Sequence, residues 1–373
     1  MKIIVCPISG GGFPVQLGIL SLLCDVKYKP DLALASSGGN VATYVTIAAQ
    51  WSSQHIKRLI KSLDSNFFIK SWTHDSLLSF IPSWTIGFFK ESFFNYSHNG
   101  INFFQEHLTP KLVQDIEVWT GTVECNQKRA QLFCNRDEKK SCISCMGVIA
   151  TTNNSGITEH KDVKDVKSHV DTKLYGCLEP IYLNGDLKLI AQAALASASI
   201  PTMVPPQNIK GKLYSDGGVT HASPLTIMKD AINNLEELHN PGLHITYINS
   251  FDLEKTDPVS PNYMTSVHNG KITMLEMVQN FCVQDRISGI DLIRHPDIKM
   301  YSKVGDIKDT KDLLLIENHR LKARRTMIEY YPNDNTAIDL KSFKSNDVDK
   351  LYENIRKGFK YRLWWIGDSK IFD

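Results

Sequence analysis

The sequence predicts an α/β fold in one compact domain, and three stretches carry that reading. A buried-type strand at 2–8 runs through glycines into a helix. A second strand–turn–helix unit spans 31–50. A small-residue helix at 187–198 leads through an extended proline run into a hairpin. Strands alternating with helices through short turns describe a sheet covered by helices. The 373 residues suffice for one large α/β domain or two ordinary ones. No internal repeat, low-complexity tract or linker divides them, which favours one domain.

Composition narrows the function class. An apolar content of 42% with 22% charged residues is that of an ordinary globular protein. A net charge of +2 excludes a dedicated nucleic-acid binder, which needs many phosphate-neutralising cations. The N-terminus opens on strand and lacks the apolar stretch of a signal peptide. The longest apolar candidate for a span, Leu187 to Val204, is interrupted by Lys188 and Pro201, short of the roughly 20 residues a bilayer demands. These features lead to the expectation of a soluble cytoplasmic protein, peripheral at membranes, with free thiols as the default for its eight cysteines. Cys142 and Cys145 form a C-x-x-C, but Cys125 and Cys134 are spaced too widely to complete a zinc site.

In chain order, the strand Lys2 to Ile8 leads to Ser9-Gly10-Gly11-Gly12 and a helix from Gln16 to Cys24. A glycine run leaving a strand lets the backbone approach a ligand closely and aim N–H groups at negative charge. The Walker pattern requires a lysine followed by serine or threonine, which is missing, and the glycine spacing does not fit a dinucleotide fingerprint. An oxyanion hole has neither requirement. The strand Leu32 to Ala35 then runs into Ser36-Ser37-Gly38-Gly39 and a helix from Asn40 to Gln50. This is the layout of a nucleophile elbow, with Ser37 in register and Ala35, Gly38 and Gly39 around it. A tight βα turn without chemistry is the competing reading of the same residues.

Between 67 and 104 the chain is strongly aromatic, which reads either as core packing or as an apolar lid facing acyl chains. Leu112 to Phe133 reads as strands and Lys161 to Lys173 as a charged loop. Asn208 to Ser215 reads as a hairpin turning at Gly211, and Asp216-Gly217-Gly218 follows as either an active-site carboxylate or a turn. A strand is expected at 244–250, with helices at Lys271 to Leu292 and Asp347 to Tyr361. His319, Arg320, Lys322, Arg324 and Arg325 form a basic cluster on a helix, either a solvated face or an attraction for anionic headgroups.

Gly10–Gly12, Ser37 and Asp216, taken in that order, resemble the patatin-like phospholipase family. The elbow strand Asp31-Leu-Ala-Leu-Ala-Ser-Ser-Gly-Gly39 is similar to the family's nucleophile strand. The stretch from Gly185-Asp186 through Ala196-Ser-Ala-Ser-Ile-Pro-Thr-Met-Val-Pro-Pro206 resembles its signature helix and proline turn. Leu213-Tyr-Ser-Asp-Gly-Gly-Val-Thr-His-Ala-Ser-Pro224 resembles its D-G-G/A segment. The resemblance implies a three-layer α/β/α fold with a central, mostly parallel sheet. Residues 1–235 would form the catalytic core, and 236–373 would continue the same domain.

The resemblance also implies a lipid acyl hydrolase, of phospholipase A or esterase type, working through a Ser–Asp dyad. Ser37 would be the nucleophile, Asp216 its base, and Gly10, Gly11 and Gly12 the oxyanion hole, with no cofactor or metal. The implied substrate is a phospholipid or other acyl ester met at a membrane surface, with a protein activator left open. Two departures stand against the family pattern. Gly12 is followed by Phe13-Pro14-Val15 without the basic residue of G-G-G-x-R/K-G, and Ala35 replaces the elbow's first glycine. The loop change supports the alternative of a catalytically weak patatin-fold protein acting by binding. A Ser–His–Asp hydrolase is a further alternative, for which His221 and His244 are available.

Overall fold

The computed structural model describes residues 1–67, 69–70, 95–96, 98–142, 177–201, 204–239, 242–254, 274–340 and 343–372. The first half contains β1 (Lys2–Cys6), α1 (Phe13–Asp25), β2 (Leu32–Ser36), α2 (Gly38–Ala48), α3 (Ser53–Ile60), β3 (Ile69–Lys70), β4 (Asn95–Tyr96), α4 (Asn99–His107), α5 (Pro110–Asp115), β5 (Glu117–Glu124) and β6 (Arg129–Cys134). The second half adds β7 (Ile181–Tyr182), α6 (Leu187–Ala196), β8 (Gln207–Ile209), β9 (Lys212–Asp216), α7 (Leu225–His239), β10 (Leu243–Ile248), α8 (Met274–Ile293), β11 (Met300–Ile307), α9 (Thr310–Arg320), β12 (Arg325–Tyr331), α10 (Ser345–Arg356) and β13 (Phe359–Ile366).

An eleven-stranded sheet runs in the order β11-β13-β12-β10-β1-β2-β5-β6-β7, with β9 paired to β5 and β8 to β9. Strands β12, β10, β1, β2 and β5 are mutually parallel. β13, β6 and β9 run against the neighbours named for them. This is a mixed, mostly parallel sheet with ten α-helices among the described residues.

The three layers follow from strand periodicity. Successive side chains of a strand point to opposite faces. Ile4 and Cys6 of β1, with Ala33 and Ala35 of β2, enter one core with α1, α2 and α10. Ile3 and Val5, with Leu32 and Leu34, enter a second core with α7 and the end of α8. Burial on both faces explains why β2, β5 and β10 have no exposed position.

Several elements depart from the sequence reading. The first strand stops at Cys6, and α1 starts at Phe13 rather than Gln16, since Pro14 in its first turn has no N–H to lose. Leu112 lies on α5, which Thr109 caps by accepting from the Leu112 N–H, so strands begin only at Glu117. The C-terminal helix ends at Arg356. Beyond Gly358, at φ +153°, the chain enters β13, so Tyr361 is a strand residue. The basic cluster does not share one helix: Arg320 closes α9 and is fully buried, while Arg325 opens β12. The helix expected from Lys271 is described from Met274.

Of the aromatic stretch, Phe67, Phe103 and Phe104 are buried and meet edge to face at 5.2–5.6 Å. Residues 71–94, the loop at 161–173 and Cys145 lie outside the described residues. No described helix is long and apolar enough to cross a membrane.

Candidate active site

β1 and β2 are parallel neighbours, with Cys6 opposite Ala35, so the segments leaving their C-terminal ends meet above the sheet. Ser37 is the single residue between β2 and α2, and its backbone sits at φ +56°, ψ −135°. A side-chain-bearing residue rarely takes that conformation and holds it only under tight constraint. The constraint is visible on either side. A Cβ on Gly39 would lie 2.2 Å from the Cys6 carbonyl oxygen and 2.3 Å from that of Pro7. A Cβ on Gly38 would lie 2.8 Å from the Gly10 oxygen. Only glycines let α2 start this close to the exit of β1. Ala35, by contrast, is an ordinary buried strand residue, which is why its methyl group is accommodated.

The turn is also held from α6. The Ser37 N–H donates to Ser197 Oγ at 2.9 Å, and the Ser197 hydroxyl donates to the Gly121 carbonyl at 2.6 Å. Asn40 joins α2 to β5 and α6, accepting from Thr120 Oγ1 at 3.1 Å and donating to the Ala194 carbonyl at 3.4 Å. Ser197 lay within the sequence motif but had no role assigned from it. Its bond to an amide 160 positions away is a tertiary fact.

Asp216 reaches the same point from the end of β9. Its register opposite Thr122 of β5 and its N–H bond to the Ser199 carbonyl at 3.1 Å fix the backbone. The Ser37 hydroxyl donates to Asp216 Oδ2 at 2.7 Å, and the Gly218 N–H donates to Oδ1 at 2.7 Å. Both residues are almost fully buried. Burial disfavours the charged carboxylate and pushes Asp216 up to about 7, against the pull of these two hydrogen bonds.

The glycine run folds into a 3₁₀ turn, Gly10–Gly12, with Gly10 at φ +47°. The Gly12 N–H donates to the Ser9 carbonyl at 2.8 Å, and the Gly11 carbonyl accepts from the Ile338 N–H at 2.9 Å. Gly12 is therefore spent inside the turn and cannot serve as the oxyanion donor expected of it. Among the described residues, the N–H groups of Gly10, Gly11 and Gly38 have no such partner.

The histidines stand apart from this pair. His221 Nδ1 meets Thr220 Oγ1 at 2.7 Å, and burial holds the ring neutral by lowering it to about 4. His244 lies at the start of β10, the opposite end of the sheet, where its Nδ1 meets Thr326 Oγ1 at 3.0 Å. Neither hydrogen-bonds Ser37 or Asp216 among the described residues. Both are buried packing groups. The seven described cysteines are free thiols, and no group of three His, Cys, Asp or Glu side chains among the described residues is arranged to hold a metal ion.

The family model for patatin-like phospholipase matches residues 8–229, more than half of the chain. The chain belongs to the patatin-like phospholipase family. Membership supports lipid acyl hydrolase activity in general, on lipid ester substrates. No curated protein matches the chain. The match stops inside α7, yet β10, β12, β13 and β11 extend the same sheet outward from β1. Ile338, which bonds Gly11, and Ser250, which packs against Gly12, both lie in that later part.

Proposed function

We propose that this chain is a serine acyl hydrolase that cleaves fatty acyl esters, phospholipids among them, with Ser37 as nucleophile and Asp216 as general base. The reading is carried by the 2.7 Å hydrogen bond from the Ser37 hydroxyl to Asp216 Oδ2 at a positive-φ strand-to-helix turn. A hydroxyl is a poor nucleophile until a positioned base takes its proton. Ser37 Oγ attacks the acyl carbon, the carbonyl electron pair moves onto oxygen, and the hydroxyl proton passes to Asp216. Collapse breaks the bond to the leaving alcohol, which takes that proton from Asp216. Water then attacks the acyl-serine and gives a proton to Asp216. The second collapse releases the fatty acid and returns the proton to Ser37.

The N–H groups of Gly10, Gly11 and Gly38 would hold the oxyanion, with Gly12 shaping the turn beneath them. The N-terminal end of α2 adds its positive dipole. A carboxyl raised to about 7 suits the task, since a base with a pKa near the working pH both accepts and returns the proton. Acyl chains in a bilayer would reach Ser37 at the C-terminal edge of the sheet. The basic cluster around Arg325 starts β12 at the other edge, so it lends no support to membrane contact at the site.

The test is fatty-acid release from mixed phospholipid vesicles by the wild type and Ser37→Ala side by side. Release by the wild type alone is expected. Equal release by both would remove Ser37 from the mechanism, and no release by either would favour a binding role.

A further inference from the structure

One hydroxyl beside the turn has no part in the scheme above. Ser9 Oγ is sealed from solvent and has no hydrogen-bond partner among the described residues. It lies 2.5 Å from the point where a Cβ on Gly38 would sit, and the Gly10 nitrogen lies 3.2 Å from that same point. Gly38 directly follows Ser37. Ser9 Oγ and the Gly10 nitrogen thus both pack against the backbone of Gly38, next to the nucleophile turn.

A buried hydroxyl without a partner carries an uncompensated desolvation cost, so a donor kept here is suited to an acceptor that arrives with the substrate. We propose that the Ser9 hydroxyl is a third donor to the oxyanion that forms on the acyl carbonyl at Ser37. The inference rests on Ser37 being the nucleophile. A serine hydroxyl rotates about its C–O bond, so it can follow the oxygen as it becomes tetrahedral, which fixed backbone amides cannot do. It also answers the missing basic residue, because Phe13-Pro14-Val15 leaves the glycine turn without a side-chain cation. Of the other unpartnered groups nearby, Ser36 Oγ and His221 Nε2 gather around Gly121 on β5 and Ser250 Oγ lies against Gly12, so Ser9 Oγ is the one set against Gly38.

The test is steady-state hydrolysis of a soluble p-nitrophenyl acyl ester by the wild type, Ser37→Ala, Ser9→Ala and Ser9→Thr, with melting curves for each. Losing one oxyanion donor should lower the kcat of Ser9→Ala by about 10²–10³-fold while KM stays within about twofold. Ser9→Thr, which keeps the hydroxyl, should retain most of the wild-type kcat. A kcat for Ser9→Ala within twofold of wild type would overturn the inference. So would a loss that sits in KM, or one that Ser9→Thr shares. Equal rates for wild type and Ser37→Ala would bring down the reading of Ser37 and this inference with it. A dead Ser37→Ala beside an unimpaired Ser9→Ala would bring down the inference alone.

Discussion

Ser37 with Asp216 and Ser223 with Asp285 are two buried serine–aspartate pairs of the same chemistry, joined at 2.7 and 2.5 Å. Burial raises both carboxyls, to about 7 and about 6. What separates them is how their remaining bonding capacity is used. Asp285 Oδ1 also accepts from Thr226 Oγ1 at 2.8 Å and from the Thr226 N–H at 3.1 Å, and Ser223 Oγ itself accepts from the Leu225 N–H at 3.1 Å. These contacts fix the start of α7, as a helix cap does, and the Tyr247 hydroxyl of β10 adds a further hydrogen bond to Asp285. Ser37 Oγ accepts no hydrogen bond among the described residues and projects from a turn at positive φ, with free N–H groups beside it. A short Ser–Asp bond alone is therefore no mark of catalysis. The lone pairs left free on the Ser37 hydroxyl, and the donors left free beside it, are what distinguish the proposed dyad from a cap.

The largest expected effect sharpens that contrast. Asp216→Asn should lower turnover by about 10³-fold or more, because the amide cannot take the proton. It should also melt no lower than wild type at pH 8, since it removes a charge held at a cost in a buried site. A near-normal rate would mean that another group is the base.

Next in size is the reverse result at the second pair. Asp285→Ala should destabilise the fold by about 2 kcal/mol by leaving the Thr226 N–H in the first turn of α7 and the hydroxyls of Ser223 and Thr226 without their acceptor. Its kcat per folded molecule should stay near wild type. Denaturant unfolding with activity measured in parallel reads both quantities, and a selective loss of kcat would erase the distinction drawn here.

The smallest effect is in pH dependence. Asp216 must be ionised to act as base, so kcat/KM should rise with pH through about 7 and level off above it. Stability should move the other way. Both carboxyls bind protons more tightly in the folded chain than at the ordinary value of 3.8, so folding holds extra protons between those values. Their contribution is full below about pH 4 and is lost as pH rises through about 6 and 7. Asp216→Asn should flatten part of that decline in melting temperature, and an unchanged slope would argue against a raised carboxyl at this position.

The proposed dyad was legible because each member lies in a motif. Ser37 and Asp216 are 179 positions apart, and no spacing argument joins them. Each was readable from its own small-residue turn, and the order of the turns resembled one family. The Ser223–Asp285 cap, 62 positions apart, carries no local signature and could not have been found that way. The sheet was legible where its strands are buried on both faces, as in β1, β2 and β10. It was missed in β11, where several exposed polar residues break the apolar run, in β12, whose start at Arg325 was read as part of a basic helix although the strand is buried, and in β13. In β13, Phe359-Lys-Tyr-Arg-Leu363 does alternate with period two, but it follows α10 so closely that it read as more helix. The role of Gly12 was misjudged because the sequence shows that a glycine turn exists but not which of its N–H groups the turn itself consumes.

The most direct test is covalent trapping with a fluorophosphonate, followed by peptide mass mapping of the intact, folded chain. The account predicts one adduct, on Ser37, formed faster at pH 8 than at pH 5 and lost in Ser37→Ala, with Ser223 unmodified. An adduct on Ser223, or equal labelling of wild type and Ser37→Ala, would contradict it.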